Sequence, residues 1–202
     1  DPGQDFYYLG DYGGFFGQYD LATGDLNYAK SVGNGTIFSL EKHDDNLDLC
    51  GEIFGTIDAD PDEGVSYIGQ ENLNGGIVGN YNAHDGSFRW AQDIVTTRFI
   101  GPRKIIADQY GAYVNGYFGG SADFQSGPEE TNLTSGRVDV FVARYAADGA
   151  LNWVKGLGTP GFAVSIAAAL TDDGYYLGGQ FADTVNFDPY QGDVRLTGAG
   201  AG

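Results

Sequence analysis

DVFVARYAADGALNW, residues 139–153, reads as a β-hairpin. Val140 to Tyr145 is a run rich in β-branched and aromatic residues. Asp148-Gly149 is a turn pair suited to the positive φ angles of tight hairpins, and Leu151 to Val154 restarts the strand pattern around Trp153. The same arrangement stands twice upstream, as GGFFGQYDLATGDLNYA and GGIVGNYNAHDGSFRWA. Tyr19, Tyr81 and Tyr145 correspond, 62 and 64 residues apart; Tyr28, Trp90 and Trp153 correspond, 62 and 63 apart. A period of about 63 residues therefore organises the chain.

Working outward, each unit offers four short strand patterns. The first has them at 14–19, 26–32, 36–40 and 47–54, the second at 77–81, 88–94, 104–107 and 113–118, and the third at 140–145, 151–155, 163–170 and 175–181. Asn46, Gly111 and Gly174 align at the last turn of each unit, where a left-handed residue is expected. The connector is also written three times, as GEIFGTIDADP (51–61), GYFGGSADFQ (116–125) and GQFADTVNFDP (179–189). These connectors divide the chain into repeats at 1–59, 60–124 and 125–187, with the opening of a further repeat at 188–202. No segment sustains a 3.6-residue apolar period, so the expected helix content is under about 5%.

A four-stranded unit this small cannot bury both faces alone. The aligned columns show where neighbours cover it. Phe15, Ile77 and Phe141 share one strand face with Tyr19, Tyr81 and Tyr145, and Gly17, Gly79 and Ala143 lie between them; Phe16, Val78 and Val142 point the other way. Leu49, Val114 and Leu177 form another column, followed two residues on by Gly51, Gly116 and Gly179. Apolar residues on both faces require sheets stacked face to face. The expected fold is all-β: three consecutive four-stranded antiparallel units stacked as β-propeller blades. Three units are too few to close a ring, so they belong to a larger propeller or stack as an open array. In either case the terminal units need further blades of the chain, or another copy, on their uncovered faces.

Composition agrees. The chain has 202 residues, 42% of them hydrophobic, enough for a sizeable core. Its 34 glycines, 14 tyrosines and 13 phenylalanines suit short strands and tight turns. The formal charge of −18 disfavours nucleic acid and anionic membrane surfaces as partners and favours cations, including Ca²⁺. The single cysteine, Cys50, excludes an intrachain disulfide and reads as a buried, inert thiol. The longest apolar run, 162–170, is too short to cross a bilayer. The start at Asp1-Pro2, with no methionine anywhere, reads as an excerpt or a processed product.

Residues 139–153, followed by GGQFADTVNFDPYQGDVRLTG, resemble the SBBP-type β-propeller repeats of large cell-surface and secreted proteins of Bacteroidota-like bacteria. Phe124, Leu133-Thr134-Ser135-Gly136, Asp139, Phe141-Val142-Ala143-Arg144-Tyr145, Gly149 and Trp153 fit that repeat, as do Asp188-Pro189 and Leu196-Thr197-Gly198. The first unit departs from it, with Tyr28 for the tryptophan and no Leu-Thr-Ser segment; the second has Ile77-Val78-Gly79-Asn80-Tyr81. The resemblance implies the propeller fold, an extracellular or cell-surface setting, and a non-enzymatic role in structure, adhesion or protein interaction. Surface glycans or proteins would be its partners, and type IX secretion an export route. It implies no catalytic residues and no certain cofactor.

The candidate chemistry is sparse. His43 and His84 fall at turns of different units, without metal-ligand spacing or a nucleophile nearby. Asp44-Asp45, Glu129-Glu130 and Asp172-Asp173 read as turn or connector acids. A glycan-active propeller enzyme remains the alternative, its acids supplied by blades outside this sequence. Asn34-Gly35-Thr36 and Asn132-Leu133-Thr134 are glycosylation sequons, and Asp183-Thr184-Val185 resembles an O-glycosylation site of exported Bacteroidota proteins. The sharpest site expectation is Ca²⁺ at Asp58, Asp60 and Asp62: alternating acids before Gly64 bring hard oxygen ligands to one side of a bend. Glu63 stands where an EF-hand has glycine, and no bidentate glutamate follows.

Overall fold

A computed structural model describes residues 13–158, 161–188, 190 and 192–198. The apolar run at 6–9 and Pro189 of the third connector lie outside the described residues. The described chain is all-β, with no helix. It is a succession of antiparallel hairpins: β1 (Phe15–Tyr19) with β2 (Leu26–Ser31), β3 (Gly35–His43) with β4 (Asn46–Phe54), and β5 (Ile57–Asp58) with β6 (Tyr67–Ile68). Then come β7 (Asn74–Asn82) with β8 (Phe88–Thr96), β9 (Phe99–Asp108) with β10 (Gly111–Asp123), and β11 (Asn132–Ala146) with β12 (Leu151–Leu157). β13 (Phe162–Thr171) with β14 (Gly174–Ala182), and β15 (Thr184–Asn186) with β16 (Arg195–Thr197), complete the series.

Hairpins join into four-stranded sheets across the expected boundaries. β4 pairs with β7, giving the order β3-β4-β7-β8, and β10 pairs with β11, giving β9-β10-β11-β12. Each of these sheets takes its first hairpin from one sequence repeat and its second from the next. The four strands of one repeat, expected to form one sheet, are instead divided between two. The connector explains the difference. Residues 55–73 do not carry the chain away to another sheet; they fold into the small β5–β6 hairpin and return it antiparallel beside β4. The step from β8 to β9 takes only residues 97–98 and moves the chain onto the next sheet. Among the described residues the two sheets share strand pairing where Thr96 and Val95 meet Ala122 and Asp123, and β13 reaches β11 through one parallel pair, Val138 with Phe162. The sheets follow one another in a curled stack.

The core lies between successive sheets, as two-sided apolar strands require. Ile77 and Leu49 face back toward β1–β2, in a cluster with Phe16, Val32 and Tyr81. Their neighbours Val78 and Cys50 face forward, into a cluster with Ile105, Val114, Phe141 and Tyr145. A third cluster joins Val140 to Ala163 and Val185. Each fully buried side chain of this size contributes roughly 1.5–3 kcal/mol. Phe15, in the same column as buried Ile77 and Phe141, is 72% exposed because no sheet precedes it among the described residues.

The glycine column has a local cause that the apolar pattern does not reveal. β3, β9 and β13 each carry one extra residue, at Phe38, Arg103 and Ile166, where the pairing register shifts. Beside each bulge stands Gly51, Gly116 or Gly179. A Cβ there would overlap the carbonyl oxygen of Thr36, Gly101 or Val164 on the bulged strand. The turn glycines Gly24, Gly86 and Gly149 have positive φ, as the hairpin turns demand. Of the three aligned last-turn residues only Gly111 does; in the first unit Asp44 takes the left-handed position and Asn46 does not.

Candidate functional site

The side chains that recur at the repeat spacing converge on the joints between units. Three loops are built alike. Asp58 Oδ1 accepts the amides of Asp60, at 3.1 Å, and Ser66, at 2.8 Å. Asp123 Oδ1 accepts those of Gln125, at 3.1 Å, and Thr131, at 2.8 Å. Asn186 Oδ1 accepts those of Asp188, at 3.0 Å, and Val194, at 3.1 Å. In every case one oxygen fixes the amides two and eight residues on, and the next residue's own amide (Ala59, Phe124 or Phe187) closes the loop by donating to the carbonyl of Ser66, Thr131 or Val194. This is an Asx turn extended into a cross-loop clasp.

The acids expected to bind Ca²⁺ lie in and beside the first clasp. Asp58 is committed to loop amides, Asp60 Oδ1 accepts the Asp62 amide at 3.0 Å, and Asp62 pairs with Lys30. Among the described residues no three His, Cys, Asp or Glu side chains gather as a metal-holding group. Asn186 performs the Asp58 role with a neutral amide oxygen, so the role requires an acceptor and not a charge. The spacing of 65 and 63 residues between Asp58, Asp123 and Asn186 was the available signal in the sequence.

Two of the clasps are then locked by the next hairpin. Tyr81 donates its hydroxyl to the Ala59 carbonyl at 2.8 Å, and Tyr145 donates to the Phe124 carbonyl at 3.1 Å. Both rings are fully buried, and burial raises both phenol pKa values well above the usual tyrosine range. They remain neutral donors. On the outer side Tyr28 donates to the Ala83 carbonyl at 3.2 Å, and Trp90 Nε1 donates to the Ala147 carbonyl at 2.9 Å. Their rings lie over the turn glycines of the following hairpin: an added Cβ would come within 2.9 Å of the Tyr28 ring at Gly86 and 2.7 Å of the Trp90 ring at Gly149. The aromatic columns thus work as plugs, and the turn glycines as their sockets.

The remaining candidates are dispersed. Asp48 is 2% exposed, accepts from Asn80 Nδ2 at 2.9 Å and lies 3.2 Å from His43 Nδ1. Burial raises its carboxyl pKa, against the Asn80 hydrogen bond and the His43 charge. Its Oδ1 is taken by Asn80, and its Oδ2 is buried beside His43 with no hydrogen-bond partner. His84 pairs with Asp45 at an exposed turn. Asn34 and Asn132 are exposed, whereas half-buried Thr184 shares a 3.0 Å hydroxyl contact with Thr197.

Cys50 is fully buried, and burial pushes its thiol up to about 12. The thiolate is the reactive form, so at neutral pH Cys50 should resist an alkylating reagent for as long as the fold persists and react fully in denaturant. Equal labelling rates in both conditions would refute the packing assigned to β4. No protein-family model matches this chain, and no curated protein matches it.

Proposed function

We propose that this chain is a non-enzymatic β-propeller module of a bacterial cell-surface or secreted protein, serving structure, adhesion or protein interaction. Its successive four-stranded sheets are blades arranged radially. One observation carries the reading: the polar and aromatic residues that recur in the repeats are spent on joining one unit to the next. Asp58, Asp123 and Asn186 clasp the loops; Tyr81 and Tyr145 lock two of them; Tyr28 and Trp90 plug the following turns. A side chain held at such a joint is unavailable for chemistry on a substrate. The acidic surface suits a cation-rich exterior and resists self-association through nonspecific contacts.

Antibodies against the chain should label intact producing cells, and protease treatment of those cells should remove the label. The purified protein should retain glycan or protein ligands without converting them. Labelling only after lysis would overturn the surface placement. Turnover of a glycan that tracks with the protein through purification would overturn the non-enzymatic reading.

A further inference from the structure

The side chains that recur from unit to unit are spent on the joints. A cleft at the second joint is lined by side chains that do not recur. Asp93 stands opposite Ile77, where Ser31 stands opposite Phe15 and Gly156 opposite Phe141. Gln125-Ser126 stands two residues after Asp123, where Asp58 and Asn186 are followed by Asp60-Pro61 and Asp188-Pro189. With Gln70 from the loop after β6 and Thr97 from the step between β8 and β9, these residues border a cleft of about 390 Å³. That volume falls in the range of small-molecule sites.

Two loops meet here, and Asp93 ties both to β8. Its Oδ2 accepts the Gly69 amide at 2.9 Å, and its Oδ1 accepts the Ser126 hydroxyl. Ser126 Oγ in turn accepts the Asp93 amide at 3.1 Å. Thr97 Oγ1 accepts the Ser121 amide at 2.9 Å, which holds the remaining wall. The walls are fixed before anything binds, and such preorganisation lowers the cost of binding. What they leave unspent is polar. The Gln70 carboxamide and the Ser121 hydroxyl have no hydrogen-bond partner among the described residues. Asn132 donates Nδ2 to Glu130 at 2.9 Å and leaves Oδ1 open.

Those groups select the ligand. Carboxamides and hydroxyls side by side match vicinal hydroxyl groups, which both donate and accept. Among the residues that line the cleft only Val95 has an apolar side chain, so a hydrocarbon or aromatic ligand would gain little. Asp93, Asp123 and Glu130 would repel an anion. Both Asp93 oxygens and Asp123 Oδ1 are committed to loop donors, and no three acids gather as a metal-holding group among the described residues. A neutral polyhydroxylated ring meets none of these objections. We infer that the cleft binds a neutral sugar residue of a glycan, with Gln70, Ser121 and Asn132 as its hydrogen-bonding side chains and Asp93 as the residue that positions the walls. The inference rests on the adhesive reading of the module and gives that reading one site and one ligand class.

The test is amide NMR of the isotope-labelled chain, titrated separately with the methyl glycosides of glucose, galactose, mannose and N-acetylglucosamine, and with ethanolamine. At least one glycoside should shift the amides of Thr97, Ser121, Ser126 and Asn132 saturably and leave distant resonances in place. Gln70→Ala and Ser121→Ala, with spectra unchanged elsewhere to report an intact fold, should each weaken that binding by roughly tenfold. No saturable shift with any of the four glycosides, shifts confined to another surface, or full binding by either variant would overturn the inference. Tighter binding of ethanolamine would also overturn it, by making the cleft a site for cations. If the purified protein retains a glycan yet the cleft amides do not move, this inference fails and the adhesive reading stands. Release of free sugar from a glycoside that shifts the cleft amides would support the site and overturn the non-enzymatic reading alone.

Discussion

Gly116→Ala should lower the melting temperature by roughly 6–12 °C. Gly116 sits beside the Arg103 bulge, and a methyl group there would occupy the space of the Gly101 carbonyl oxygen. Neither strand can yield easily: β10 is held by β9 on one side and β11 on the other. Overpacking of this kind costs up to about 3 kcal/mol, and somewhat more where backbone blocks the way. In a protein of this size each kcal/mol moves the midpoint by roughly 2–4 °C. Gly136→Ala supplies the control. Gly136 is exposed in β11, and an added Cβ would meet nothing within 4 Å. Its substitution should change stability by no more than about 0.5 kcal/mol. Thermal melts of the two variants side by side decide the matter, and similar midpoints would show that the bulge does not require glycine.

Asp58→Ala should destabilise the protein by roughly 2–4 kcal/mol, because it strips the acceptor from two part-buried loop amides, each costing about 1–3 kcal/mol when unmet. Asp58→Asn should cost under about 1 kcal/mol, since Asn186 already serves the third loop with an amide oxygen. Both losses should be the same in millimolar Ca²⁺ and in chelator, because the acceptor acts on backbone amides. Denaturant unfolding under the two conditions measures this. A Ca²⁺-dependent rise in the parent's midpoint that disappears in Asp58→Ala would establish the cation site, since a ligand held only by the folded state stabilises it by mass action.

The two aspartate readings show where sequence reasoning stops. Alternating carboxylates before a glycine are compatible with a cation and with an Asx clasp, because both use an oxygen turned into the loop. The choice depends on whether amides eight residues on return to that oxygen, which is a matter of loop path. The strands themselves were legible: Ile77 and Val78 alternate faces, and the tyrosine column recurs at nearly constant spacing. Sheet membership was not. The columns repeat every unit, so a sheet made from one repeat and a sheet made from halves of two present the same pattern. Hydrogen-bond partners distinguish them, and residues 55–73 look like a boundary until β5 and β6 pair. The bulges at Phe38, Arg103 and Ile166 were also hidden, since one extra residue leaves the apolar alternation intelligible on either side of it.

The half-repeat offset between sequence and sheet bears on how the chain carries a mechanical load. Were each sheet one repeat, a pull along the chain would part neighbours by sliding apolar faces against each other. Here the courses overlap as in brickwork. To detach the first repeat from the second, β4 must be drawn away from β7 along nine opposed residue pairs, from Asn46–Asn82 to Phe54–Asn74. The two repeat boundaries among the described residues, at β4–β7 and β10–β11, are closed by backbone hydrogen bonds as well as by side chains, so each should yield strand by strand and not unit by unit.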